Sequence, residues 1–358
     1  MSGKPTAIMC TSNGVGLGHL SRVMAIARHM TDDFYVVIFT LSAAVSIPVA
    51  EGFTTEYLRS HDGSGFDPFD WNRLLEQRLD HLHELYSPAL VAFDGTHPYA
   101  GLVGHLRRHR ATTRAWVRRG MWRAGHGKES IGRTRYFDLV VEPGDYAAEY
   151  DVGATVTATK RVHRVAPIQY GGRRLTRHEA RTALGLDPST PVALVQLGAG
   201  QINQVGSLIR DTVEALRAAG VHVVVAASVL ADTPQIDLPG VSVVQRYPIS
   251  DYFDAFDLGF FAGGYNSFHE ALALGLPAAF VPNLDTKLDD QAARTRFAHD
   301  RGYGLDWSDG RRSTLDGLVA RLLDPAERAA MRAKMSELPP ADGGAEAAAL
   351  LRDAVGRR

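Results

Sequence analysis

The sequence of 358 residues has very little cysteine and no long apolar run. Its one cysteine, Cys10, excludes an intramolecular disulfide framework and a multi-cysteine zinc site, and it is typical of a reducing compartment. No segment approaches the roughly 18 consecutive apolar residues of a transmembrane helix, and the amino terminus lacks the long apolar region of a signal peptide. These features lead us to expect a cytoplasmic protein.

The net charge of the chain is close to zero. The chain has 39 Lys and Arg against 40 Asp and Glu, a formal net charge of −1, so bulk charge gives no reason to expect nucleic acid as a partner. Apolar residues make up 45% of the chain, which is ordinary for a globular protein. At about 150 residues per domain, the length suggests two domains or one large one.

Short apolar segments of buried-strand type alternate with helical segments in the first part of the chain, and one of them ends at Asp94. The predicted strands are residues 7–10, 35–39, 90–93 and 139–141. Such alternation is typical of a parallel sheet that is covered by helices on both faces.

The pattern restarts after a basic, irregular segment at 160–190, whose composition suits a linker. The later strands are predicted at 192–195, 221–226, 241–244, 258–261 and 278–282. We predict an α/β fold of two doubly wound, Rossmann-like domains, residues 1–165 and 166–340, and a C-terminal helix at 341–358 that can pack back on the first domain. Ligands bind beyond the carboxyl ends of the strands in such sheets, which here includes a cleft between the domains.

The first glycine-rich loop, residues 14–18, does not match the common nucleotide-binding patterns. In the dinucleotide fingerprint the third glycine would stand at position 19, which is His19, and no acidic residue ends the second strand. The P-loop pattern is absent as well. His19 stands at a helix N-terminus, where the helix dipole lowers the pKa of an imidazole and keeps it neutral, as a general base requires. The alternative is that His19 only caps the helix.

A second glycine turn, formed by Gly263 and Gly264, follows a predicted strand and precedes a short helix. Asn266 or Ser267 can cap this helix, and the free amides at a helix start bind anions. Glu270, one turn further on, can accept hydrogen bonds from ribose hydroxyls.

Asp290 and Gln291 begin another predicted helix, where a carboxylate and an amide could bind two neighbouring sugar hydroxyls. Each feature alone is also an ordinary turn with a capped helix. Along the chain, the features predicted to bind the phosphate, the ribose and the sugar of one ligand follow one another. This series, together with Gly275-Leu276-Pro277, resembles the nucleotide-sugar signature of the GT-B glycosyltransferases. Within that group it is similar to the UDP-glycosyltransferases and to the transferases that glycosylate lipid-linked peptidoglycan precursors and macrolides.

The resemblance covers most of residues 5–310 in order. Residues 238–249 are similar to the segment whose backbone holds the nucleotide base in that superfamily. Residues 14–22 are similar to its N-terminal G-x-G-H loop, and residues 91–94 to the strand that carries an aspartate near the acceptor. Acceptor specificity lies in residues 30–165 in this family, where the resemblance is looser.

This resemblance implies two Rossmann-like domains that face each other across a cleft, the acceptor-side domain first and the donor-binding domain second. It also implies transfer, with inversion, of a sugar from a nucleoside diphosphate sugar, most often a UDP-sugar, to a hydroxyl acceptor. His19 would be the general base, which Asp94 would orient and stabilise as the imidazolium. His97 lies three residues further on and could take the place of Asp94.

The resemblance also implies ligand contacts. The residues expected to bind the donor are Gly198, Gly263, Gly264, Asn266 and Ser267 for the diphosphate, Glu270 for the ribose, Tyr247, Pro248 and Ile249 for the base, and Asp290 and Gln291 for the sugar. The residues expected on the acceptor side are Gly16, Gly18, His97, Arg118 and Trp122. Ala199 stands where the family often has Ser or Thr, so one phosphate-binding hydroxyl is missing.

We expect no metal ion and no other cofactor. The chain contains no Asp-x-Asp pair, the usual metal signature of the other major glycosyltransferase fold. Backbone amides at the helix start near Asn266 would meet the departing diphosphate instead.

Residues 107–135 form a basic stretch. Ten basic residues against the single acidic Glu129 give it a formal charge of +9, with Trp116 and Trp122 interleaved. Basic residues with tryptophan indicate an anionic or membrane-associated acceptor and a peripheral contact with the inner face of the membrane. The alternative is a solvated arginine-rich helix.

Other functions fit the same loops. A nucleotide-sugar hydrolase would use His19 to activate water, and nucleotide-sugar 2-epimerases share the fold and the G-x-G-H loop. A non-catalytic sensor could dispense with His19 and Asp94, and both are present. The long variable region at 53–135 favours an acceptor pocket, and therefore a transferase.

Overall fold

The computed structural model describes residues 3–12, 17–198, 202–230 and 239–357. These residues form two compact units. The first unit consists of Met1–Gly144, Val152–Tyr170 and Asp342–Arg358, and the second consists of Asp145–Asp151 and Gly171–Ala341.

The first unit contains a parallel sheet of seven strands in the order β3-β2-β1-β4-β5-β6-β7. Its strands are β1 (Thr6–Thr11), β2 (Tyr35–Thr40), β3 (Thr54–Tyr57), β4 (Leu90–Asp94), β5 (Thr113–Val117), β6 (Leu139–Pro143) and β7 (Val162–Val165). Its first helices are α1 (Gly18–Ala27), α2 (Ser46–Ala50), α3 (His61–Ser64), α4 (Pro68–Tyr86), α5 (Ala100–Arg108) and α6 (Lys128–Gly132).

The second unit contains a parallel sheet of six strands in the order β10-β9-β8-β11-β12-β13. Its strands are β8 (Val192–Gln196), β9 (His222–Ala226), β10 (Val241–Val244), β11 (Leu258–Ala262), β12 (Ala278–Val281) and β13 (Leu305–Asp306). Its helices are α7 (Arg177–Leu184), α8 (Ile202–Ala218), α9 (Tyr265–Ala273), α10 (Gln291–Arg301), α11 (Arg312–Leu323) and α12 (Pro325–Met335).

The last helix, α13 (Gly343–Gly356), returns to the first unit and packs against α1. Two glycines allow the close approach. A Cβ added at Gly343 would overlap the carbonyl of Ala166, and one at Gly344 would lie 3.0 Å from the carbonyl oxygen of Ala25. Among the described helices, none is both long enough and apolar enough to cross a bilayer.

The strands are apolar because both faces of each sheet are covered by helices. In the first unit, all five residues of β4 are buried, and β4 pairs with β1 so that Asp94 lies opposite Thr11. Since α1 begins shortly after β1, its first turn is brought to the carboxyl end of β4. In the second unit, β8 and β11 are neighbours, so the turns that follow them lie at the same edge.

The unit boundaries differ from the predicted ones at two places. The boundary predicted between 165 and 166 lies after Tyr170, and Asp145–Asp151 belongs to the second unit. Side chains of this short segment are ion-paired within that unit, Asp145 with Arg294 and Glu149 with Arg301. Long-range pairs of this kind leave no local signal in the sequence.

Candidate active site

His19, Asp94 and Arg22 form a cluster at the carboxyl edge of the first sheet, in which Asp94 and Arg22 are buried and His19 is partly exposed. His19 Nδ1 lies 2.6 Å from Asp94 Oδ1, although the two residues are 75 positions apart. Arg22 donates from Nε to Asp94 Oδ2 at 2.7 Å and from Nη2 to Asp94 Oδ1 at 2.6 Å. The carboxylate is thus held by a planar two-point contact and also fixes the imidazole.

The pKa shifts of this cluster set the charge state of His19, and its hydrogen bond to Asp94 sets the tautomer. Burial raises the pKa of Asp94, but the Arg22 guanidinium and the hydrogen bond from His19 outweigh it and hold the pKa below its usual range. Burial lowers the pKa of His19, and the hydrogen bond and charge of Asp94 oppose this without reversing it. A neutral imidazole beside an ionised carboxylate donates from Nδ1, so Nε2 carries the lone pair.

Arg22 is a partner of Asp94 that the sequence reasoning did not pair with it. His19 and Arg22 stand three residues apart in α1, a spacing that places both on one helix face. That spacing is the signal that could have identified Arg22 as a third member. Its positive charge offsets the carboxylate and favours the neutral form of His19.

The other predicted acceptor-side residues lie in different surroundings. Gly18 opens α1. Gly16 lies outside the described residues, as does Gly14. His97 Nδ1 is 2.8 Å from Ser130 Oγ, and Asp94, not His97, is the residue that hydrogen bonds to His19.

The prediction that residues 107–135 form an aromatic and basic surface is wrong for the two tryptophans. Trp116 and Trp122 are 0% and 1% exposed, and Trp116 Nε1 donates to the carbonyl of Gly95 at 2.7 Å. Arg118 is fully buried and ion-paired to Glu142 at 2.8 Å. Large aromatic side chains gain more from burial in a core than from a polar surface, which composition alone does not reveal.

The stretch is also not the single arginine-rich helix of the alternative interpretation. It runs from the end of α5 through β5 and α6 into a turn of 3₁₀ helix at Arg133–Tyr136. Several of its cations are paired with acids of the same unit, among them Arg114 with Asp138 at 2.6 Å and Arg133 with Glu129 at 2.9 Å. Four of its ten cations, Arg108, Arg114, Arg118 and Arg133, are therefore in ion pairs within the first unit.

In the second unit, the Gly263-Gly264 turn leads into α9 two or three residues earlier than predicted. Gly264 is the N-cap and no side chain caps the helix, so the expectation that Asn266 or Ser267 is the cap is wrong. Both lie in the first turn, where backbone amides have no acceptor within the helix. A Cβ at Gly263 would lie 3.0 Å from Thr295 Oγ1, and this close packing makes the chain turn early.

Glu270 lies one turn into α9 and is 9% exposed. Burial, followed by the charge of Asp251, raises the pKa of its carboxyl to about 8. At neutral pH the group is therefore mostly protonated.

The base-binding and diphosphate loops are only partly described. Gly198 follows β8 with φ +80°, a conformation that favours glycine. Tyr247 and Pro248 are half-buried, whereas Ile249 is buried, so a base would meet the backbone of Ile249 and not its side chain. Outside the described residues lie Ala199, Gly200, Gln201 and Leu238, and the side chain of Asn203.

Asp290 and Gln291 are held by bonds within the second unit. Asp290 caps α10 by accepting from the backbone of Ala293 at 3.0 Å. Gln291 Oε1 accepts from the backbone of Asn283 at 2.9 Å, and its Nε2 donates to Asp289 at 3.3 Å. Both polar atoms of Gln291 thus fix the loop that precedes α10, and their contact with a donor sugar stays a prediction.

A buried network behind the glycine turn was missed by the sequence reasoning. Arg294 is 0% exposed and donates to Asp145 at 2.7 Å and to Asp289 at 2.8 Å. Its Nη1 also lies 3.4 Å from the carbonyl of Gly263. His269 joins the network, with Nδ1 donating to the carbonyl of Tyr265 at 2.6 Å. The network contacts both sides of the turn, at the carbonyl of Gly263 and at the carbonyl of Tyr265.

Comparisons with known proteins give similar sequences and similar folds. A UDP-N-acetylglucosamine–N-acetylmuramyl-(pentapeptide) pyrophosphoryl-undecaprenol N-acetylglucosamine transferase of a Nocardioides species is 34% identical over 183 residues, 48% of this chain and 49% of that protein. The transferase of the same name from Clavibacter michiganensis is 31% identical over 200 residues, 52% of each chain. The chain thus matches about half the length of these relatives. No protein-family model matches.

Among solved structures, the spinosyn forosaminyltransferase SpnP has a TM-score of 0.71 at 14% identity and covers 99% of this chain and all of its own. The calicheamicin glycosyltransferase CalG4 has a TM-score of 0.64 at 18% identity, covering 98% of this chain and 99% of its own. Acinetobacter baumannii MurG has a TM-score of 0.63 at 14% identity, covering 98% of this chain and all of its own. These likenesses confirm the predicted fold class, the two Rossmann-like units of the GT-B glycosyltransferases.

Proposed function

We propose that the chain is a glycosyltransferase that moves a sugar from a nucleoside diphosphate sugar, most simply a UDP-sugar, to a hydroxyl acceptor. The observation that carries the proposal is the short contact between His19 Nδ1 and Asp94 Oδ1, which leaves Nε2 as a base. The names of the relatives specify UDP-N-acetylglucosamine as donor, which supports this choice for the first assay.

In the proposed reaction, His19 Nε2 removes the proton of the acceptor hydroxyl. The acceptor oxygen attacks the anomeric carbon from the face opposite the diphosphate, and the bond from that carbon to the diphosphate oxygen breaks. The configuration is therefore inverted. The leaving diphosphate takes the negative charge and is met by the amides at the start of α9, so no metal ion is required.

We infer an anionic, lipid-linked acceptor from the names of the relatives, which specify a pyrophosphoryl-undecaprenol acceptor. Flotation with vesicles tests the implied peripheral membrane contact. Binding to anionic but not neutral vesicles is expected, and equal failure to bind both would contradict it.

The activity is tested by incubating the protein with labelled UDP-N-acetylglucosamine and a polyprenyl-pyrophosphoryl sugar acceptor. We expect transfer that persists in EDTA and is reduced about 10²–10⁴-fold in His19→Gln, because the general base is lost. His126→Gln, which changes an exposed histidine of the same unit, is the matched control. Turnover that EDTA abolishes and magnesium or manganese restores would sink the metal-free mechanism.

The same experiment without acceptor separates transferase from hydrolase. Rapid stoichiometric release of free sugar would show that His19 activates water, and conversion of the donor's sugar into an epimer would show a 2-epimerase. Thermal-shift screening with UDP, dTDP and GDP identifies the nucleotide, since a ligand of the folded state raises its melting temperature by mass action.

A further inference from the structure

A cluster of imidazoles joins α4 to α5 in the first unit, away from the proposed base. Asp80 Oδ1 lies 2.8 Å from His105 Nδ1 and 3.0 Å from His109 Nε2. Among the described residues, these three form a group whose ligand atoms all lie within 4.8 Å of one another. His83 is stacked on His109 with 3.7 Å between the ring centroids, so a third imidazole borders the group.

We propose that Asp80, His105 and His109 bind one divalent transition-metal ion of the Zn²⁺ class. Imidazole nitrogen and carboxylate oxygen are the ligands that Zn²⁺ takes when cysteine is absent, usually with four ligands in all, so three protein ligands leave one position for water. His83 is stacked on His109 and supports that ring without facing the ion.

The helix packing explains why these side chains meet. Residues 72, 76, 80 and 83 recur along one face of α4 at helical spacing. On α5, a Cβ added at Gly101 would overlap the carbonyl of Asn72, and one at Gly104 would overlap the Glu76 carboxylate. The two glycines therefore let the helices approach closely, and the next turn of α5 places His105 against Asp80.

The charges around the cluster leave one carboxylate oxygen for an ion. Arg108 pairs with Asp80 Oδ2 and with Glu76, while Oδ1 faces the histidines. The Arg108 side chain is 56% exposed, so it can move away from a bound cation.

The site is separate from the proposed reaction. Asp94 ends β4 at the carboxyl edge of the sheet, whereas Asp80 and His83 lie in the last turns of α4, just before β4 begins. Leu90 to Asp94 spans about 13 Å of strand at roughly 3.3 Å per residue. The ion would link α4 to α5 and stabilise the fold, with no part in the transfer of a sugar.

The test uses the tag-free full chain, stripped with a chelator and titrated with Zn²⁺ by calorimetry. We expect one Zn²⁺ per chain, an increase in melting temperature, and at least a tenfold loss of affinity in His109→Gln and in Asp80→Asn. His81→Gln is the matched control, because His81 lies on α4 but is exposed. No stoichiometric binding, or unchanged affinity in both variants, overturns the proposal.

A second measurement does not depend on the folding of any variant. X-ray absorption of the Zn²⁺-loaded wild-type protein is expected to show two imidazole ligands and no sulfur. A shell of oxygen ligands alone would overturn the proposal. Neither measurement depends on sugar transfer, so failure here leaves the proposed function standing, and the reverse is also true.

Discussion

The imidazole of His19 is prepared as a base by the two groups that face its Nδ1. Asp94 accepts from Nδ1 and fixes the ring, while Arg22 offsets the carboxylate charge that would otherwise stabilise the imidazolium. The Asp94 carboxylate therefore still orients the imidazole of His19, but it raises the pKa of that imidazole less than it would without Arg22. A lone aspartate would orient His19 equally well but would raise its pKa further.

The pH dependence of the reaction follows from this arrangement. Because the pKa of His19 is lowered below its usual value of about 6.5, the neutral, active form prevails at pH 7 and above. At saturating donor, where the pH dependence of donor binding has no effect, we expect kcat/KM for the acceptor to be level between pH 7 and 8 and to fall as the pH drops through the lowered pKa. Initial rates in buffers of constant ionic strength measure this. A profile that still rises between pH 7 and 8 would contradict the assignment.

Glu270 is expected to make the affinity for a nucleotide depend on pH around the pKa of its carboxyl, about 8. Its pKa of about 8 means that it is mostly protonated at pH 7, whereas ribose hydroxyls donate best to the carboxylate. Binding therefore releases a proton, and we expect affinity for UDP to rise about tenfold between pH 7 and 9. Calorimetry at several pH values measures it. Glu270→Gln should remove the slope, and a slope that survives this change would exclude Glu270 as its source.

Among the elements, the turn between β11 and α9 leaves little room for an added atom at Gly263. A Cβ there would lie 3.0 Å from Thr295 Oγ1 and 3.1 Å from the carbonyl oxygen of Gln291 in α10. We expect Gly263→Ala to destabilise the second unit by about 1–3 kcal/mol, as overpacking does, and to weaken UDP binding by shifting the α9 amides. Denaturant unfolding and calorimetry measure the two effects.

The control for this prediction is Gly317→Ala. Gly317 lies in α11 with nothing within 4 Å of an added Cβ, so alanine should leave UDP binding unchanged and raise stability by up to about 1 kcal/mol. Equal loss of UDP affinity in both variants would show that the packing of Gly263 is not the cause.

At the scale of the whole molecule, the C-terminal helix belongs to the unit with which the chain begins. Leu351 in α13 is 0% exposed within that unit. Leu351→Ala should therefore destabilise the first unit by about 2–5 kcal/mol. UDP affinity at 25 °C should be unchanged, because the donor residues lie in the second unit. Leu350→Ala, which truncates a half-buried neighbour, should cost less stability. If Leu351→Ala lost UDP affinity and Leu350→Ala did not, this would contradict the assignment of donor binding to the second unit alone.

The fold could be predicted largely from local patterns. Apolar strands separated by helices led to two parallel sheets, and β1, β2, β4 and β6 lie within about two residues of the predicted strands. Short or weakly apolar strands such as β3, β7 and β13 gave no such signal, because edge strands bury less of their surface. The donor turn was located, but its helix cap was placed at Asn266 or Ser267, since the packing of Gly263 on α10 is not visible in the sequence.

The sequence by itself determined the alternation of strands and helices, and with it the carboxyl edge of each sheet, where the loops bearing His19 and Asp94 emerge in the first unit and the turn at Gly263 emerges in the second. Only the tertiary structure decided which side chains meet there. Arg22 shares the Asp94 carboxylate, Arg294 supports the Gly263 turn from another helix, and the tryptophans of the basic stretch are buried. Secondary structure follows from periodicity along the chain, whereas these contacts join residues tens of positions apart and depend on how the elements pack.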